Sequence, residues 1–112
     1  MHKDNRLKTK SDFKKLYTNS KKLTNNELVL ILKQNSITIS RFGFSIKKKF
    51  GTAVKRNKIK RRLKESIRNL NIQDGWDLIL IPRKNIKTKN YHQIKFSVRN
   101  LLNQAGLLKK FK

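Results

Sequence analysis

The chain has no cysteine, which removes disulfides, thiolate metal sites and thiol nucleophiles together and suits a reducing compartment. It has one proline, Pro82, and four glycines, with no Pro-rich or Gly/Ser-rich stretch. Nothing therefore marks a domain boundary, and residues 1–112 read as a single domain, of which 1–8 form a polar, basic, flexible arm. Long apolar runs are also missing: residues 28–32 and 78–81 fall far short of the ~20 that a membrane-spanning helix needs. The first ten residues hold no apolar stretch of the signal-peptide kind. A cytoplasmic protein without a membrane partner is expected.

Acids are scarce as well. Six Asp and Glu are scattered along the chain, and its two histidines, His2 and His92, stand far apart without metal-ligand spacing. Paired carboxylates or a His cluster, which hydrolytic or metal chemistry requires, are not in evidence. No catalytic residue and no metal ligand is expected on this chain.

What is present is positive charge: thirty Lys and Arg give a formal net charge of +24. Self-repulsion of that size works against compaction, so a polyanionic partner is expected, and nucleic acid returns free energy through counterion release. A+T-rich coding also enriches Lys, Asn and Ile, so the placement of the charges counts for more than their number. The 36% hydrophobic content is low, yet it falls in periodic runs, which argues for a folded domain over a disordered one.

Thr9 and Asp12 have capping-box spacing, and Phe13, Leu16 and Tyr17 follow at i, i+3, i+4, predicting a short helix over residues 11–19. Residues 27–33 and 37–46 read as strands joined by a hairpin turn at 34–36. Gly51 breaks the pattern and Thr52 can cap a long helix with Ile59, Leu63, Ile67 and Leu70 inward. A third strand spans 76–82, and Tyr91, Ile94, Val98, Leu101, Leu102 and Ala105 mark a last helix ending near Gly106. The order αββαβα implies an α+β two-layer sandwich, a mixed sheet with helices packed on it.

The long helix carries the most information. At about 100° per residue, Asn57, Lys60, Arg61, Lys64 and Arg68 share the face opposite the apolar stripe. A solvated face usually mixes signs to gain i,i+4 pairs, but here Glu65 is the one acid among the cations. Lys55 and Arg56 lie in the first turn, where the helix dipole disfavours cations by ~0.3–1 kcal/mol each. Such a face is suited to phosphates, which arginine can fork, with Asn57 able to donate to or accept from a base or a 2′-hydroxyl.

Lys48, Lys49, Phe50, Gly51, Thr52, Ala53, Val54, Arg56, Asn57, Lys60 and Arg61 together resemble the signature of the protein subunit of bacterial ribonuclease P. Arg6-Leu7-Lys8 with Asp12-Phe13, residues 43–46, and the stretch from Asp77 to Arg83 resemble the start, second strand and third strand of that family. Thr52 stands where the family usually has Asn, Lys64 where it often has Arg, and Ile31 where it tends to place an aromatic in its first strand.

The resemblance implies a ribonucleoprotein in which the RNA is the catalyst, Mg²⁺ is held mainly by RNA and substrate, and the complex removes the 5′ leader of precursor tRNA. It implies a left-handed βαβ crossover, although right-handed crossovers prevail in ~98% of such units. It further implies that Lys48, Lys49, Arg56, Asn57, Lys60, Arg61, Lys64 and Arg68 dock on the ribonuclease P RNA. Phe13, Tyr17 and Ile31 would then line the cleft for the single-stranded leader. The spacing of Phe13 and Tyr17 suits ordinary core packing equally well, and Phe42, Phe44 and Trp76 suit the core better than a ligand.

A ribosomal or other structured-RNA-binding protein is the main alternative on composition alone. A nucleoid-type protein would bind duplex DNA, for which no recognition-helix or minor-groove-wedge pattern is present.

Overall fold

The computed structural model describes residues 6–7 and 10–109; most of the expected arm, and Thr9 of the capping pair, lie outside the described residues. The elements are α1 (Lys10–Leu16), β1 (Lys21–Thr24), β2 (Leu28–Gln34), β3 (Arg41–Phe44), α2 (Ala53–Arg68), β4 (Trp76–Pro82) and α3 (Tyr91–Gln104). Short 3-10 turns at Lys48–Phe50 and Lys84–Thr88 precede α2 and α3. The strands form one mixed sheet in the order β1-β2-β4-β3, in which β3 and β4 pair in parallel and the other neighbours pair antiparallel. The helix α2 is the crossover between the parallel strands, and the fold is α+β.

Strands β2 and β4 are apolar almost throughout because both of their faces are covered. Leu28, Leu30 and Leu32 of β2, with Leu78 and Leu80 of β4, point to α2 and α3, where Leu63, Ile67, Ile94, Val98 and Leu101 complete the main core. The alternate residues Ile31 and Ile79 point the other way and pack with Leu16 of α1 and with Leu7. The sheet and the α2–α3 pair form the two principal layers, and α1 covers part of the remaining face.

Four differences from the sequence reading have physical causes. First, β1 is an additional strand that forms a hairpin with β2, turned at Asn25, whose side-chain carbonyl accepts from the amides of Glu27 and Leu28 at 3.1 and 2.9 Å. Second, β2 and β3 are not a hairpin, because β4 lies between them. The connection over residues 35–40 instead crosses the start of β4: the Asn35 amide donates to the Gly75 carbonyl at 2.8 Å, and the Ser40 hydroxyl donates to the Gln73 carbonyl at 2.6 Å. Ile37 is consequently exposed in a bend and is not a strand residue. Third, α1 ends at Leu16, three residues short of Asn19, which takes a left-handed φ of 56°. Fourth, Arg6 and Leu7 are tied to the sheet: Arg6 bridges Phe42, and the Leu7 amide donates to the Phe42 carbonyl at 2.8 Å.

The helices most clearly patterned in the sequence form as expected. Thr52 caps α2, its hydroxyl accepting from the Lys55 amide at 3.3 Å. Asn90 and Gln93 form a reciprocal capping box at the start of α3, which satisfies amides that the first turn would leave unpaired.

Candidate nucleic-acid interface

Gly51 sets the entry to α2. Its φ of +119° is a backbone conformation that L side chains rarely adopt, and the lysine turn runs straight into the helix. Lys48, Lys49, Asn57, Lys60, Arg61 and Arg68 are all exposed along that turn and the outer face of α2, while Arg56 and Lys64 are half-buried. The eight residues expected from the sequence therefore occupy one continuous stretch. Glu65 is occupied locally, accepting from Arg68 Nη1 at 3.3 Å.

Two cations that sequence reasoning missed extend this surface. Arg6, brought in at the edge of β3, sits close enough to Lys64 to act on its charge. Lys64 titrates below the ordinary lysine value, first because burial penalises the ammonium and then because Arg6 and Lys60 repel it. At the other end, Lys87 Nζ lies 5.6 Å from the Phe50 ring centroid, with Lys49 Nζ at 5.7 Å, and donates to the Lys49 carbonyl at 3.3 Å. Neither cation had a signal in local spacing, since each arrives by a long-range contact. Arg56 Nε is buried without a hydrogen-bond partner among the described residues.

On the opposite side of the sheet, the Phe13 ring lies against Gly43 so closely that a Cβ there would come within 2.6 Å of Phe13 Cζ. Tyr17, just beyond α1, is 50% exposed. Ile31 is 7% exposed and closes the floor beneath α1 together with Leu7, Leu16 and Ile79. Strand alternation brings Lys22 and Thr24 of β1 and Val29 of β2 onto the same face, beside Ile31. Lys33 shares it and donates to the Lys15 carbonyl at 3.4 Å. Val29 and Ile81 are only partly buried there, a feature hidden in the sequence by their place in continuous apolar runs.

The carboxylates of Asp74 and Asp77 are engaged by cations and amides of the fold. Asp77 accepts from Arg41 and Asn35, and Asp74 lies 3.8 Å from Lys109. Among the described residues no group of three or more His, Asp or Glu is placed to hold a metal ion. His92 stands edge-on to Tyr91, with ring centroids 5.6 Å apart. No helix among the described residues is long and apolar enough to cross a membrane. The arrangement can bind and orient a polyanion on one side of the sheet and offer an aromatic, partly apolar face on the other.

Comparison with known proteins agrees with this geometry. The model of the family described as Ribonuclease P matches residues 1–106. The ribonuclease P protein component of Clostridium kluyveri is 41% identical over 108 residues, spanning 93% of this chain and 96% of that protein. Its counterpart in Caldanaerobacter subterraneus subsp. tengcongensis is 36% identical over 104 residues, spanning 91% and 90%. Among solved structures, the Staphylococcus aureus RNase P protein superposes with a TM-score of 0.86 at 32% identity, covering 94% of this chain and 98% of that one. The RNase P protein from Thermotoga maritima superposes at 0.81 with 33% identity, covering 88% and 96%. With sequence, fold and basic surface in accord, the chain belongs to the ribonuclease P protein family.

Proposed function

We propose that this chain assembles with a catalytic ribonuclease P RNA and holds the 5′ leader of precursor tRNA, while hydrolysis takes place on the RNA. The observation that carries the reading is the outer face of α2, where cations run from Lys48 to Arg68 with Glu65 the one acid, and where Arg6 and Lys87 add to both ends. A face so charged destabilises the free protein and is compensated when phosphates neutralise it.

In this division of labour Lys48, Lys49, Arg56, Asn57, Lys60, Arg61, Lys64 and Arg68 dock on the RNA subunit. Phe13 and Tyr17 offer rings to unpaired leader bases over the floor that Ile31 closes. Stacking of this kind tolerates any base and contributes ~1–3 kcal/mol per base, which suits an enzyme that meets many leader sequences. Arg6 at the β3 edge lies between the two sides, beside Lys64 on one and joined through Leu7 to the α1 cluster on the other. A precursor and an RNA subunit bound together would meet there.

The Mg²⁺ ions of such chemistry are assigned to RNA and substrate phosphates, as the resemblance to the family implies. The chain's part is to bind, to orient, and to screen the repulsion between two polyanions. In a bacterium like those of its relatives, it would work in the cytoplasm, where precursor transcripts are made.

The test is cleavage of a 5′-extended precursor tRNA at low Mg²⁺ by the cognate RNA with the protein, by the RNA alone and by the protein alone. Cleavage at the mature 5′ end is expected with both components. Cleavage by protein alone would move the chemistry onto this chain, and no gain from adding the protein would overturn the reading.

A further inference from the structure

A groove of about 730 Å³ runs between the C-terminal end of α2 and the outer side of α3. It lies apart from the α1 face, on the flank of α2 turned toward α3. Three features of its lining suit a ligand. Asn69, Asn71 and Asn103 converge on it, and none of these side-chain amides makes a hydrogen bond among the described residues. Lys95 and Arg99 line it while no carboxylate does. Phe96 stands on its rim 72% exposed, at a helix position where packing would call for a polar residue.

We infer that this groove is a second RNA-binding site, taking unpaired nucleotides of the RNA that docks on α2, with a base stacked on Phe96. The chemistry matches the occupant in each part. An amide presents both a donor and an acceptor to a base edge, Lys95 and Arg99 meet phosphates, and an exposed ring is a stacking platform. A carboxylate surface would use the cations but meet only the donor half of each amide. The assignment of the RNA rests on the proposed function, because Arg68 on the docking face and Asn69 in the groove are consecutive residues on adjoining sides of α2. A strand leaving the docking face can therefore continue into the groove without crossing the sheet.

The experiment is an NMR titration of the full, nitrogen-15-labelled chain with an adenylate hexamer at near-physiological salt, with the same sequence in duplex form and an oligoglutamate as controls. Saturable shifts of the Asn69, Asn71 and Asn103 side-chain amides are expected with the hexamer and much smaller ones with either control. Phe96→Ala should weaken that binding about tenfold, and the exposure of Phe96 leaves the core untouched by the change. Unmoved groove amides, an undiminished affinity in Phe96→Ala, or equal shifts with oligoglutamate would overturn the assignment. No catalytic RNA enters this titration, so its failure is distinct from that of the proposed function, which Arg61→Ala tests through assembly.

Discussion

Arg41 and Asp77 are direct partners across the parallel strands β3 and β4, joined by a fork in which Arg41 Nε donates to Asp77 Oδ1 at 2.9 Å and Nη2 to Oδ2 at 2.7 Å. Asn35 adds a third donor to Oδ1 at 2.9 Å, and Asp12 of α1 lies 3.8 Å from the guanidinium. The cluster joins both ends of the 35–40 connection to β4 and draws in α1. Asp77, 8% exposed, leaves donors unpaired if truncated, so Asp77→Ala is expected to lower the free energy of unfolding by about 2–4 kcal/mol. Urea denaturation followed by circular dichroism measures it, and a loss below about 0.5 kcal/mol would contradict this role. Hydrogen bonding to Asp77 holds Arg41 above the ordinary arginine value. A raised folded value contributes stability below the unfolded one, so at neutral pH, with the Asp77 carboxylate ionised, this contribution is fully present, and it fades at strong alkalinity.

Arg61 is exposed on the outer face of α2. Arg61→Ala is expected to leave stability within about 0.5 kcal/mol and to weaken assembly with the ribonuclease P RNA. The slope of log K against log salt should flatten by about 0.7–0.9 for the lost phosphate contact. Filter binding over a salt series reads both quantities, and an unchanged slope would remove Arg61 from the docking surface.

Tyr17 and Gly43 separate stacking from packing on the α1 side. Tyr17→Ala removes an exposed ring and should weaken precursor binding by about 1–3 kcal/mol with little change in stability. Gly43→Ala puts a methyl 2.6 Å from Phe13 Cζ, so the ring must move, at a cost of about 1–3 kcal/mol in stability. It should also weaken precursor binding while assembly with the RNA subunit stays as it was. Equal effects of both substitutions on assembly and on precursor binding would sink the division into two surfaces.

Lys64 is disfavoured as an ammonium in the free fold by burial, Arg6 and Lys60. Its folded value is depressed, so the unfolded chain binds more protons and stability rises with pH across the window just below the ordinary lysine value. At neutral pH the penalty is fully present. Lys64→Gln should then stabilise the free protein by about 0.2–0.5 kcal/mol, as relief of one like-charge i,i+4 pair does, while weakening RNA assembly. Thermal unfolding and filter binding moving in opposite directions would establish the trade; a destabilised variant would refute it.

The sequence made α2, β4 and α3 legible because each combines a period with a cap or a stop: Thr52 and the Ile59-Leu63-Ile67 stripe, Pro82 after an apolar run, Gly106 after α3. The outer face of α2 followed from helical geometry alone. Hidden features were those decided by partners distant in the chain. Lys21–Thr24 has one inward apolar residue, Leu23, and no period to announce a strand. Ile37 and Ile39 alternate like a strand, yet the need to pass over the start of β4 bends that stretch into a loop. Arg6 beside Lys64 and Lys87 beside Lys49 depend on contacts that no local window contains. Ile31 is grouped with Phe13 and Tyr17 by the resemblance alone, and its burial under α1 emerges only from packing.

The sheet has two borders, and each is treated differently. Strand β1, at one border, carries the exposed Lys21 and Lys22, one on each face, and strand β3, at the other, is met by Arg6 and Leu7. Bare strand borders invite a second copy to pair and begin aggregation, and outward lysines or a covering segment block that. Self-pairing of the sheet is thus opposed by exposed charge at one border and by occupied backbone groups at the other.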